Sequence, residues 1–273
     1  NVNDLLEMFD ETEITVDELG NTDGVTVNNC VDQSLNFPIV TKDLVMAVDC
    51  DAVKSYPGSG TTLFDLTGNS NDVTLQNGAS ISNGKASFDG TDDRAKVADT
   101  TMLEYTPTDS FTVMAVFSCT TIAPLTIDGV QYSTNTSLLG RGATSGAVGL
   151  GLRKTTPNSG GQLSIYAGSR GVSQITDSYN IDADRIYSTT FSYTPTIQKL
   201  YVNGEFQSSS DTSAGAGGSF QDTFWAIFYN RAVPGGNGAY AEGDFYLGRM
   251  YSRELTAAEV KQNFNGIKNR FGL

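Results

Sequence analysis

From residue 44 to the end, the chain is a series of short apolar runs separated by turn signals. The runs fall at residues 44–48, 85–88, 111–117, 163–166, 186–193, 200–202, 224–229 and 245–251. Several alternate apolar and polar positions with period two, as a strand with one buried face does. Between them stand Asn77-Gly78, Asn83-Gly84, Asp89-Gly90, Asp128-Gly129 and Asn203-Gly204. Such dipeptides supply the positive φ angles of tight hairpin turns. With 29 glycines in 273 residues, the pattern predicts an all-β chain of many short antiparallel strands in two packed sheets. No unit recurs at the roughly 20–50 residues of a propeller or solenoid repeat.

A helical period enters only at the C-terminus. Thr256 and Glu259 have the spacing of a capping box. Val260, Phe264, Ile267 and Phe271 then fall on one face. This predicts a C-terminal helix that lies on the sandwich as a latch, with Lys268 and Arg270 near its end, where the dipole favours cations.

Charge and composition narrow the function. A net charge of −14 and a pI near 4.3 argue against nucleic acid, whose phosphates need a surplus of Lys and Arg. They argue equally against an anionic membrane, and no apolar run approaches the roughly 20 residues that span a bilayer. There is no histidine, so no Ser-His-Asp or Cys-His nucleophile and no His-ligated zinc or iron can be assembled. Cys30, Cys50 and Cys119 are far apart and read as free or buried thiols of a reducing compartment rather than as a disulfide framework.

The charge is unevenly spread. Residues 1–43 hold ten acids (Asp4, Glu7, Asp10, Glu11, Glu13, Asp17, Glu18, Asp23, Asp32 and Asp43) against the single base Lys42. Weak patterning and high acidity mark this stretch as an extended N-terminal arm or small anchoring segment, and residues 44–273 as one domain. The start has no basic stretch followed by an apolar one, so no secretory signal is predicted. An opening Asn without Met leads us to expect a chain cut from a longer precursor or continuing upstream.

In order along the chain stand Ser55-Tyr56-Pro57-Gly58-Ser59-Gly60-Thr61-Thr62, Phe64-Asp65-Leu66-Thr67-Gly68-Asn69, Asn71-Asp72-Val73-Thr74-Leu75 and Phe88-Asp89-Gly90-Thr91-Asp92-Asp93. They are followed by Phe111-Thr112-Val113-Met114-Ala115, Leu138-Leu139-Gly140-Arg141-Gly142, Lys199-Leu200-Tyr201-Val202-Asn203-Gly204-Glu205, and the ending from Arg249 through Val260. This ordered set resembles a laminin G-like, or concanavalin A-like, jelly roll over about residues 44–273. The aromatic–histidine pair that usually opens the strand before the Asn203-Gly204 hairpin is replaced by Ile186-Tyr187-Ser188-Thr189-Thr190. The opening at residues 55–62 and the tail from Gln262 through Gly272 are similar to the version found in tailed-bacteriophage virion proteins. The resemblance thus implies a two-sheet jelly-roll sandwich and raises a role in a particle.

Candidate chemistry is sparse. Retaining glucanases of this fold carry a Glu-x-Asp-x-x-Glu strand with two carboxylates roughly 5–5.5 Å apart. Here Glu242-Gly243-Asp244-Phe245-Tyr246-Leu247 puts Leu247 in the second glutamate's place, so no catalytic residue is assigned and the chain is expected not to be an enzyme. Asp65, Asn69, Asn71 and Asp72, or Asp89, Asp92 and Asp93, offer oxygens to calcium, although the same residues are ordinary turn formers. We assign no metal ligand and no cofactor. Trp225, Tyr229, Tyr240 and Tyr166 can stack on sugars, but a lone Trp in an apolar run belongs in a sandwich core. Gly-rich loops at 141–149, 155–161, 211–221 and 231–241 can form a binding rim or pack on neighbouring subunits. No carbohydrate-binding residue is assigned.

The sequence therefore leads us to expect a structural protein of a tailed-phage virion, assembled in the host cytoplasm. It would be a head decoration or fibre anchored to capsid or tail proteins through residues 1–43, homo-oligomeric, and displaying a lectin-like domain. The alternative is a carbohydrate-binding adhesin or tail-associated receptor-binding module that meets a cell-surface glycan. A glycoside hydrolase ranks below both. No nucleic-acid or membrane partner is expected.

Overall fold

The computed structural model describes residues 31–32, 37–98, 100–122, 125–127, 130–132, 134–141, 148–154, 162–169, 173–174, 179–212, 224–230 and 239–273. Its principal strands are β1 (Leu44–Asp49), β2 (Val73–Gln76), β3 (Lys85–Asp89), β4 (Arg94–Val97), β5 (Phe111–Ile122), β6 (Thr134–Arg141) and β7 (Val148–Lys154). These are followed by β8 (Leu163–Ser169), β9 (Tyr187–Tyr193), β10 (Ile197–Val202), β11 (Glu205–Asp211), β12 (Trp225–Ile227) and β13 (Ala239–Tyr251). Two helices close the chain, α1 (Ala257–Asn265) and α2 (Lys268–Phe271). Among the described residues no helix is long and apolar enough to cross a membrane.

The strands form two antiparallel sheets, as the patterning predicts. The first runs β8-β7-β6-β12-β4-β2, extended at its ends by Ser173–Gln174 and Thr62–Leu63. The second runs β11-β10-β9-β5-β13-β3 and ends at Ser80–Ser82. Strand β13 is long enough to serve two partners along one edge: β3 opposite residues 242–245 and β1 opposite 247–251. Its other edge pairs with β5 from Ala241 to Tyr251. The first nine residues of β5 are all buried, because one face meets the core and the C-terminal helices cover much of the other. Met114 and Val116 of that outer face pack with Leu247 and Ile267. Burial on both faces explains why residues 111–117 read as a continuous apolar run rather than an alternation.

Three of the predicted hairpin turns have the expected backbone. Asn77, Asn83 and Asn203 adopt φ of 68°, 52° and 50°. At Asp89-Gly90 only the glycine is left-handed, at 75°, and the chain leaves β3 there to cross to β4 in the other sheet. Asp128-Gly129 lies outside the described residues, as do residues 142–147, 155–161, 213–223 and 231–238 of the predicted rim loops. The run 224–229 is not one strand. Phe228 sits at φ 55°, fully buried against the Phe88 ring at 4.8 Å. Residues before it pair with β4 and β6, whereas Tyr229 and Asn230 pair with β13.

The latch forms with the predicted capping box, but as two short helices rather than one: α1 ends at Asn265, and Lys268 and Arg270 lie on α2. Thr256 Oγ1 accepts from the Glu259 amide at 3.3 Å, and Glu259 Oε2 accepts from the Thr256 amide at 2.8 Å. Arg253 grips the same carboxylate through two bonds of 2.9 and 2.6 Å, and its Nε lies 3.3 Å from Asp43. Beneath α1, the Val40 amide donates to Asn263 Oδ1 at 2.8 Å and Tyr251 Oη donates to the Val40 carbonyl at 3.0 Å. Asn263 Nδ2 in turn donates to Tyr251 Oη at 2.9 Å. All three residues are buried, so the end of the N-terminal segment at Val40 is fastened to the body through side chains of α1 and β13.

The Arg253 hydrogen bonds lower the Glu259 carboxyl from 4.5 to about 2. A carboxylate depressed in the folded state contributes stability above its unfolded pKa and loses it as pH falls towards the folded value. The melting temperature should therefore fall between about pH 4.5 and 2, and Glu259→Gln should lower it at pH 7 while flattening that part of the profile. A thermal-melt series across pH checks this.

Cys50 and Cys119 are free and buried. Burial, reinforced by nearby carboxylates, pushes both thiols up to about 12, so neither is a nucleophile at neutral pH. Cys30 lies outside the described residues.

Candidate functional site

One corner of the sandwich gathers residues that the sequence presents as unrelated candidates. It forms where the chain leaves β3 of the second sheet and enters β4 of the first. The Asp89 amide donates to Asp93 Oδ2 at 3.0 Å, and the Thr91 amide donates to Asp89 Oδ1 at 2.8 Å. Asn77 Nδ2 donates to the Asp92 carbonyl at 2.8 Å and ties this loop to the neighbouring hairpin. Asp93 turns inward under Gly78, where an added Cβ would lie 2.9 Å from Asp93 Oδ1. Gly78, at φ 136°, thus answers both a backbone and a space requirement.

Asp89, Asp92 and Asp93 place carboxylate oxygens within 4.8 Å of one another. Burial raises the Asp93 carboxyl, whereas the Thr91 amide chiefly lowers that of Asp89. These are ligands of the hard-oxygen type that calcium takes. The bonds from Thr91 and within the loop also make a self-sufficient turn.

The other wall is built from strand alternation. Ala95 and Val97 point into the core, which leaves Arg94 and Lys96 on the outer face of the first sheet. Arg94 stands opposite Gln76 and donates from Nε to its Oε1 at 2.8 Å. Its guanidinium lies 4.8 Å over the Tyr229 ring. Lys96 Nζ lies 4.6 Å over the Phe224 ring. Tyr229 then meets Tyr240 at 5.3 Å between ring centres, tilted by 36°. Tyr229 is buried and Tyr240 half-buried. Burial, followed by the Tyr229 neighbour, raises the Tyr240 hydroxyl's pKa. The switch of sheets at Phe228 is what delivers Tyr229 here, since it redirects the chain onto β13, where Tyr229 pairs with Tyr240. Glu242 follows on β13, opposite Asp89.

Other candidates lie elsewhere. Asp65 is nearly buried and accepts from the amides of Ala47 (2.9 Å), Thr67 (3.1 Å) and Asn71 (3.2 Å) and from the Thr67 hydroxyl at 2.7 Å. Asn71 and Asn69 donate to the Val45 carbonyl, and Asp72 accepts from the Asp65 amide. This set is a hydrogen-bonded knot that fastens the 65–72 loop to β1. Trp225 is core, 1% exposed, and donates from Nε1 to the Leu103 carbonyl at 3.0 Å. Tyr166 lies across Gly151, where an added Cβ would meet its ring at 2.4 Å, with Arg153 5.1 Å above the ring. Asp244 faces outward from the second sheet, bonded to Lys85 at 2.8 Å and Ser87 at 2.7 Å. Of the corner residues, sequence reasoning missed Arg94, Lys96 and Phe224. The Arg-Ala-Lys-Val alternation was the available signal.

A family model for laminin G-like domains of the concanavalin A-like lectin/glucanase superfamily matches residues 89–261. The chain belongs to that superfamily, and its two-sheet jelly roll agrees. No curated protein matches the sequence. Among solved structures, a Trypanosoma rangeli sialidase in complex with 2,3-difluorosialic acid is similar at a TM-score of 0.59 and 16% identity, over 86% of this chain and 34% of that one. The binding domain of Paraclostridial Mosquitocidal Protein 1 is similar at 0.56 and 14% identity, over 84% of this chain and 53% of that one. The receptor binding domain of a botulinum neurotoxin C/D mosaic serotype follows at 0.54 and 11%, over 83% and 52%. The chain thus spans about a third of the sialidase and about half of each toxin domain. At these identities the likeness is one of fold.

The expectation that the chain is not an enzyme is corrected by these structures. The same sandwich occurs in sialidases, one of them a mutant displaying trans-sialidase activity, so the fold and the absence of histidine do not exclude catalysis. The physical reason is that glycoside hydrolysis runs on paired carboxylates or, in sialidases, on a tyrosine nucleophile, and needs no imidazole.

Proposed function

We propose that this domain is a carbohydrate-recognition module, and that the corner of Arg94, Lys96, Phe224 and Tyr240, backed by the buried Tyr229, is its contact surface. The carrying observation is the clustering of aromatic rings with two cations at the junction of the sheets. Aromatic faces stack on pyranose rings, and polar groups at their rims fix orientation. The superfamily includes lectins, and two of the similar structures are binding domains of toxins.

Affinity for a glycan in the millimolar to micromolar range is expected, roughly 4–8 kcal/mol. Tyr240→Ala should weaken it about tenfold or more, roughly 1.4 kcal/mol, with little change in melting temperature, since Tyr240 is half-buried at the rim. Calorimetric titration over a broad glycan panel, with and without calcium, tests this. Flat titrations throughout would sink the proposal.

A second reading places the module on a particle. The similarity of residues 55–62 and 262–272 to tailed-phage virion proteins supports a display role, with residues 1–43 anchoring the domain to capsid or tail proteins and the sandwich facing a host-cell glycan. Deleting residues 1–36 should leave the fold intact, because the seated segment begins near Ile39 and Val40, and should prevent incorporation into particles. Normal incorporation would refute the anchoring role.

A further inference from the structure

The cations of this acidic protein are not distributed alike on its two faces. Five of those on the second sheet and its helices are matched to carboxylates (Lys85 to Asp244, Lys199 to Glu254, Arg253 to Glu259, Lys261 to Glu205, and Arg270 to Asp49), whereas Arg249 lies against Met114. On the first sheet, Arg94 and Lys96 have no carboxylate partner among the described residues. Arg94 is held by the Gln76 amide and the Tyr229 ring, and Lys96 by the Phe224 ring. They stand two residues apart on one strand face, a spacing of about 7 Å. In a chain with 31 acidic residues, two adjacent cations kept on aromatic rings are a feature to explain. Among the described residues the nearby acids form no ion pair with them. Asp93 is buried under Gly78, and Asp89 belongs to β3 of the other sheet, opposite Glu242. Asp89 and Asp92 are both exposed, but among the described residues neither forms an ion pair with Arg94 or Lys96.

Building on the carbohydrate-recognition reading, we infer that the ligand is an acidic saccharide whose carboxylate sits between Arg94 and Lys96 while its pyranose ring rests on Tyr240. A guanidinium laid on a ring is weakly hydrated and keeps its donors at its edge, and the Lys96 ammonium adds a point charge beside it. A guanidinium whose Nε is already fixed by Gln76 still offers its terminal nitrogens to a carboxylate. Neighbouring Thr74, opposite Lys96 and exposed, supplies a hydroxyl for a sugar hydroxyl.

The test uses the full chain and matched probes: sialyllactose against lactose, and trigalacturonate against galactotriose, titrated by calorimetry. At least one acidic probe should bind about tenfold or more tighter than its neutral counterpart. Lys96→Gln should remove most of that difference, and raising sodium chloride from about 50 to 500 mM should shrink it, while a thermal melt shows the variant folded. Equal binding of acidic and neutral members would overturn the acidic-ligand inference and leave the carbohydrate reading standing. Preference for the neutral members would overturn it too. Absence of binding to all four probes overturns the inference, and the broad-panel titration then decides the wider reading separately.

Discussion

Asp65→Ala is expected to lower the stability of the domain by about 3–5 kcal/mol. The carboxylate of this residue, 9% exposed, accepts three backbone amides and one hydroxyl. Removing it strands the amides of Ala47, Thr67 and Asn71, each worth about 1–3 kcal/mol when buried without a partner, less whatever water can reach. In a domain of this size the melting temperature should drop by about 6–20 °C. Asp65→Asn keeps one acceptor oxygen and should lose roughly half as much. A loss below about 1 kcal/mol for the alanine variant would mean that water replaces the knot and that the loop is not fastened by this side chain.

The second large effect is expected at Trp225. Its ring meets Tyr105 and Phe111 edge-on, at 6.2 and 6.1 Å between centres, and its indole donates to the Leu103 carbonyl. Trp225→Ala leaves a cavity in the middle of the core and should cost about 3–5 kcal/mol. Trp225→Phe keeps most of the packing. The Leu103 carbonyl retains its bond from Arg141 at 3.2 Å, so this variant should cost only about 1–2 kcal/mol. Because the chain has a single tryptophan, the wild-type unfolding transition can be followed by its emission, and the variants by circular dichroism. An alanine variant as stable as wild type would place the indole outside the core.

The architecture was legible wherever a side-chain period was clean. Residues 44–48 and 245–251 pair within the second sheet, and the Thr256–Glu259 box caps the helix as read. Strands β6 and β7 were not legible, because Gly140, Gly149 and Gly151 interrupt their pattern. Backbone packing and the Tyr166 ring, rather than propensity, demand glycine at 149 and 151. Strand β11 was missed for a related reason. It is an edge strand of mostly polar residues, held by pairing with β10 rather than by an apolar face. The corner site was half legible. The sequence presents Asp89, Asp92 and Asp93 as one group, Tyr229 and Tyr240 as part of another, and Glu242 apart from both. Their meeting depends on the left-handed residue Phe228 and on the crossing after Asp89, neither of which leaves a local signature. Arg94 and Lys96 were invisible as site residues because an alternating strand ordinarily carries charged residues on its outer face.

The central claim is that sugar binds at the junction of β4 and β13. The crystal structure of the chain with the tightest-binding saccharide from the panel tests it most directly. A pyranose ring stacked on Tyr240, with its polar groups in reach of Arg94 and Lys96, is the expected result. A saccharide seated on the 65–72 loop, at the β11 edge or beside Asp244, with this corner untouched, would contradict it.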